Sequence, residues 1–191
     1  MTEDLYDKMR KELWNSAFHS YGTAYIYGQR AKAIEKRLTL ITFLGIVVPI
    51  IVGGIVTSYG TESSVLKYAI IAAAPLSLIQ LIISVWSIVD KWNEKSSYFL
   101  ESQIDNFSYS DRFQSLAKFP PQTYEELKTE TEKIGLQKQN RDIQDSKYSL
   151  TDAEKRKGMR FALRKFRREC TGCNQIPKSM ESTDCDICGK F

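Results

Sequence analysis

Four cysteines, Cys170, Cys173, Cys185 and Cys188, are the residues whose type and spacing most directly specify chemistry. All four lie within the last 22 of 191 residues. They form two CxxC pairs separated by 11 residues. Two such pairs supply four thiolates in a tetrahedron, a coordination that zinc accepts without redox chemistry. Gly172 and Gly189 suit the tight turns that aim backbone N–H groups at the sulfurs. A closed four-cysteine shell leaves no open position, so the expected zinc is structural rather than catalytic. Iron in a rubredoxin-like site would satisfy the same ligands. Cysteines confined to one tail argue against a disulfide framework for a whole domain. A segment this short cannot bury a core and should take its folding free energy from the metal.

Just upstream lies a second chemical feature. Lys155, Arg156, Lys157, Arg160, Arg164, Lys165, Arg167 and Arg168 fall within 14 residues that contain no acid. Met159, Leu163 and Phe166 share one helical face among them. A basic amphipathic helix near a membrane is attracted to anionic lipid headgroups. Nucleic acid is the other polyanion it could meet, and is not favoured here; the plainer alternative is a solvated charged face with one packed side. The only histidine, His19, is isolated and expected to be structural. No phosphate-binding glycine loop, nucleophile motif or recognisable carboxylate cluster occurs, so no enzyme is expected.

The elements that must carry these groups are dominated by two apolar runs. Residues 38–57 read LTLITFLGIVVPIIVGGIVT, in which 13 of 20 are Leu, Ile, Val or Phe. Twenty helical residues rise about 30 Å, the thickness of a bilayer's hydrocarbon core. Each such residue favours insertion by about 0.3–0.6 kcal/mol, which offsets the threonines and Pro49. Residues 68–89 form a second uncharged run that ends at Asp90-Lys91. A buried hairpin in a soluble core is the alternative, but uninterrupted apolar runs of this length are uncommon there. Arg30, Lys32, Lys36 and Arg37 precede the first run and Lys91 and Lys95 follow the second. The connector carries only Lys67, balanced by Glu62. The excess of basic residues outside the hairpin places both termini in the cytoplasm of a multi-pass inner-membrane protein. Tyr59 and Tyr68 would mark the outer interface, Trp86 and Trp92 the inner one.

Within the runs, Ala73, Ser77, Gln80, Ser84 and Ser87 form one small or polar stripe, and Gly45, Pro49 and Gly53 align at i, i+4 and i+8. Small and hydroxyl residues in membrane helices mediate close packing. The two helices could use these faces on each other, or present them to other subunits or a wet lumen. A single hairpin cannot enclose a pore, so a channel would require a homo-oligomer.

The fold expected is therefore an all-α membrane protein, with a two-helix transmembrane hairpin, long cytoplasmic helices and a small C-terminal zinc knuckle. Residues 1–37 form an N-terminal helix with Leu5, Met9, Leu13, Ala17 and Tyr21 on one face, weakened at Gly22 and Gly28. Residues 38–89 are the hairpin. Residues 90–150 hold a helix to 118, with Tyr98, Phe99, Ser102, Ile104 and Phe113 as packing positions. After Pro120-Pro121 a further helix is expected at 124–145, opened by Thr123 and Glu126. Residues 151–191 hold the basic helix, opened by Thr151 and Glu154 and running to about 169, and the knuckle.

This layout resembles the SLATT family of two-transmembrane effectors associated with bacterial nucleotide-sensing conflict systems. The likeness covers residues 5–145 and rests on architecture, on YGQRAKAIEKR (27–37) and on the helix after Trp92. The tail is similar to that of small mobile-element-borne proteins named for the CxxC-x11-CxxC spacing. Together these resemblances imply a membrane effector of an antiviral defence or mobile-element conflict system. It would act by oligomerisation and permeabilisation of the membrane, on a trigger from a sensor protein or nucleotide signal. The alternative is a membrane-tethered adaptor whose knuckle and basic helix bind a protein or nucleic acid.

Overall fold

The computed structural model describes residues 2–191 as five helices, with no strand among the described residues. They are α1 (Thr2–Tyr59), α2 (Ser64–Val89), α3 (Trp92–Lys118), α4 (Tyr124–Asp145) and α5 (Asp152–Phe166). The all-helical class and the starts of α4 and α5 follow the capping residues: Thr123 accepts from Glu126 N–H, and Thr151 and Glu154 complete a reciprocal capping box. The basic helix stops earlier than expected, because Arg167 adopts a left-handed conformation that caps it. The chain divides into two compact units, Arg30–Tyr98 and Met1–Gln29 with Phe99–Phe191. α1 and α3 each contribute to both units.

The Arg30–Tyr98 unit is a helical hairpin. The covered positions of α2 are Leu66, Ala69, Ala73, Gln80, Ser84 and Ser87, at the three- and four-residue steps of a packed helix seam. Most of the apolar side chains point elsewhere. Phe43, Ile50, Leu78, Ile82 and Ile88 are 57–76% exposed. Both helices are long and apolar enough to cross a membrane, and in water a continuous apolar surface of this kind would drive association. Tyr59, Tyr68 and Trp86 are exposed. Trp92 differs from the interfacial anchor expected: it is buried, its indole N–H donates to Asp90 at 2.9 Å, and the Arg37 guanidinium lies 5.6 Å from its ring. It closes the base of the hairpin.

In the other unit, Leu13 and Ala17 of α1 pack with Phe113 and Ala117 of α3 and with Leu127 and Ile134 of α4. A second cluster joins Phe18, Ala162 and Leu163 to Cys170 and Cys188. The α1–α5 crossing is close because both sides are glycine. A Cβ on Gly158 would meet the Gly22 carbonyl oxygen at 2.8 Å and Ile26 at 2.7 Å. Gly22, a weak point for the helix by propensity, is what lets α5 approach.

The buried face of α3 holds Phe99, Ser102 and Phe113 as expected, whereas Ile104 is 59% exposed and Asn106 and Ser110 take interior positions. Ser110 Oγ donates to Ala17 O at 2.9 Å, while Ser102 and Asn106 meet the buried carboxylate of Asp145. Ser102 Oγ donates to both its oxygens at 2.9 Å, Asn106 Nδ2 to Oδ2 at 3.1 Å and Arg141 Nε to Oδ1 at 3.2 Å. Arg141 Nη1 also reaches Glu101 at 2.9 Å and Asp105 at 3.1 Å, and the Tyr27 hydroxyl donates to the Asp145 carbonyl at 3.0 Å. Removing one partner of a buried ion pair costs about 3–5 kcal/mol, because the remaining charge is stranded. Asp145→Ala is therefore expected to lower the unfolding free energy of this unit by about that amount, measured by denaturant unfolding with Trp14 fluorescence as the probe.

Candidate metal centre and basic face

The knuckle has little regular hydrogen-bonded structure, and its shape is set by two short turns. In the first, Asn174 N–H donates to Cys170 O at 2.8 Å and Gly172 N–H lies 3.4 Å from Cys170 Sγ. In the second, Gly189 N–H donates to Cys185 O at 2.8 Å. The positive-φ residues are Asn174 and Lys190 rather than the two glycines. Gly189 is required by space: a Cβ there would lie 2.1 Å from the Thr183 carbonyl oxygen.

These turns bring all four sulfurs within 4.8 Å of one another. Cys170 and Cys185 Sγ are 3.8 Å apart, as are Cys173 and Cys188 Sγ. A tetrahedron with metal–sulfur bonds of about 2.3 Å has edges of roughly 3.8 Å, so the cluster fits a metal ion of that size. None of the cysteines is in a disulfide. N–H groups of Cys188 and Ile187 pull the Cys185 thiol down to about 6, whereas burial and then its thiol neighbours push Cys188 up.

Of the eight cations on and after α5, Arg160 departs most from the anion-facing role expected of it. It is buried, with Nε donating to Ser179 O at 2.8 Å and Nη1 to Cys188 O at 3.2 Å, 3.9 Å from Cys188 Sγ. It lies against the second CxxC pair, and it was missed as a knuckle residue because its partners lie 19–28 positions away. Arg156 donates to Lys190 O at 3.0 Å, Lys155 pairs with Asp152, Lys157 lies over Phe191 and Arg168 donates to Asn15 at 2.8 Å. Arg164, Lys165 and Arg167 remain exposed. His19 lies edge-on to Phe18 and lines a cavity of about 160 Å³ with Gly22 and Gly158. Burial, then Arg168 and Lys138, lower its pKa, so it is neutral at pH 7.

The small and polar residues of the hairpin separate into two groups. Gln80 Nε2 donates to Ile41 O at 3.3 Å and occupies the space left by Gly45, where a Cβ would stand 2.6 Å away. Ser84 and Ser87 are half-covered, with Ser87 Oγ donating to Ser84 O at 2.8 Å. Ser77 and Gly53 are exposed, and nothing lies within 4 Å of a Cβ built on Gly53.

A metal-folded knuckle makes a direct prediction. Purified protein is expected to carry one zinc per chain by elemental analysis. Cys188→Ser should lower that occupancy and make the last ~25 residues protease-sensitive, because the metal supplies the folding free energy of so small a module. Membrane insertion of α1 and α2 should be unaffected.

Neither the curated proteins nor the solved structures contain a match to the chain. A family model described as "Mobilome CxxCx(11)CxxC protein" matches residues 10–191. The match takes in the apolar hairpin and the helices as well as the cysteines, so it is not a likeness of the tail alone. From residue 10 to its last residue, the chain belongs to the Mobilome CxxCx(11)CxxC protein family.

Proposed function

We propose that this is a membrane-tethered adaptor of a mobile genetic element. In this reading the α1–α2 hairpin anchors the helical unit and its zinc-folded knuckle at the cytoplasmic face of the bacterial inner membrane. The observation that carries the reading is the placement of Gln80. A polar side chain in lipid is costly unless paired, and this one is paired inside the hairpin against Gly45 and Ile41 O. The large exposed side chains of the hairpin are mostly Leu, Ile, Val and Phe, which suits an anchor. Basic residues at 30–37, 91 and 95 support an orientation with both termini inside. Four thiolates in a reducing compartment favour structural zinc, and Arg160 neutralises part of the charge on such a centre. The knuckle and basic helix then dock a partner without catalysis.

The second reading is a membrane effector that oligomerises and permeabilises the inner membrane in a defence or mobile-element conflict, triggered by a sensor protein or nucleotide signal. It is supported by the SLATT resemblance, by the exposure of Ser77, and by Gly53 and Gly54, where nothing lies within 4 Å of an added Cβ. Two hairpins could share that surface.

Reporters and membrane potential separate the readings. A reporter fused after Phe191 should read cytoplasmic and one inserted at Glu62 should read outside; same-side signals would overturn the hairpin. On induction together with its neighbouring genes, an adaptor leaves the membrane potential unchanged. Collapse of the potential, abolished by Gly53→Leu, would establish the effector instead.

A further inference from the structure

Several cations of this protein lie beside carboxylates: Lys95 with Asp90, Lys138 with Asp142, Arg141 with Glu101, Lys190 with Asp186. Four others gather around one hollow. Arg164, Lys165, Arg167 and Lys178 line a single concavity of about 450 Å³ together with Tyr21 and Phe161, and no acidic residue lines it. None of these four cations has an ion-pair partner among the described residues. Like charges held around one hollow repel each other, and an anion in the hollow removes that repulsion.

The floor narrows the chemistry further. Tyr21 and Phe161 stack with ring centroids 5.2 Å apart and planes 5° from parallel, and Ile176 and Pro177 add an apolar wall. A bare inorganic anion would use the cations and waste the floor. A phosphate ester, with charge at one end and carbon at the other, uses both. Burial and then Asp111 raise the Tyr21 pKa, so its phenol stays protonated and available to donate a hydrogen bond.

We infer that this concavity, formed by α1, α5 and the loop between the CxxC pairs, binds the phosphate group of an anionic ester. Two sources present such a group, a phospholipid headgroup and a soluble phosphate ester. Arginines supply planar, charge-assisted contacts to phosphate oxygens, and Lys165 and Lys178 supply point charges. Lys178, Ile176 and Pro177 belong to the knuckle, so one wall exists only when the knuckle is folded. Ligand binding is thereby linked to occupancy of the four-sulfur cluster. That linkage rests on the metal reading; the pocket itself does not.

The test uses the full-length protein. In detergent, phenyl phosphate, an ester with one apolar end, is titrated by calorimetry. In nanodiscs of phosphatidylcholine with or without phosphatidylglycerol, protection of Lys165 and Lys178 from acetylation is read by mass spectrometry. If the ligand is soluble, phenyl phosphate binds, and Arg164→Gln with Lys178→Gln weakens it by roughly tenfold or more, the loss of charge-assisted contacts. Lys155→Gln, whose amine already pairs with Asp152, should change affinity by less than about twofold. If the ligand is a headgroup, phenyl phosphate fails to bind and phosphatidylglycerol alone protects both lysines. Should the double variant not fold, Lys178→Gln alone carries the measurement, since that side chain is exposed. Neither binding nor protection, or phenyl phosphate affinity indifferent to the substitutions, overturns the pocket. Chelation of the metal should abolish binding. Affinity that survives chelation but falls with the substitutions keeps the pocket and removes the linkage.

Discussion

Burying one carboxylate, Asp145, determines much of how the helices of the larger unit choose one another. A charge in the interior must be matched by donors that converge on it, or the fold is lost. Here the donors come from Ser102, Asn106 and Arg141, and Tyr27 binds the carbonyl of the same residue. Apolar packing alone would allow α3 to rotate or slide along α1 and α4 at modest cost. The polar cluster permits one register, in which Phe99 and Phe113 enter the core and Ile104 is turned out.

The cysteine cluster is joined to this arrangement rather than appended to it. Cys170 and Cys188 are buried with Phe18, Ala162 and Leu163, and Arg156 and Arg160 of α5 hold the knuckle by its carbonyls. Because α5 lies on α1 across Gly22 and Gly158, the state of the sulfurs bears on how firmly α5 sits there. The four sulfurs lie at the centre of the tail, and those of Cys170 and Cys188 are also part of the core of the helices.

What could be read in the sequence was local. CxxC spacing, uncharged length and capping residues each report on a few neighbouring positions, and the cysteines, the two apolar helices and the starts of α4 and α5 follow from them. The remainder depended on partners far along the chain. Asn106 and Ser110 look solvated until Asp145 is placed beside the first and Ala17 O beside the second. Arg160 looks like seven other cations until Cys188 O is found against it, and Lys178 looks like loop punctuation until Arg164 and Arg167 stand opposite. Ser77 and Gln80 share one stripe by periodicity, yet a tilt of the seam leaves the first exposed and covers the second.

The length of the loops closed in this fold has a consequence for biosynthesis. The α1 residues that form the core meet partners at great separation: Ala17 to Ser110 is 93 residues, Tyr27 to Asp145 is 118, and Asn15 to Arg168 is 153. A ribosome adding about 5–20 residues per second leaves an interval of roughly 8–30 s between the synthesis of Asn15 and that of Arg168. For much of that interval Leu13 and Ala17 await Phe113, Ala117 and Leu127, and Phe18 awaits Ala162 and Leu163, while the apolar runs behind them are already being made. The nascent chain must therefore keep an amphipathic segment from aggregating until its C-terminal third arrives, which makes it a substrate for whatever holds unfinished chains at the translation site.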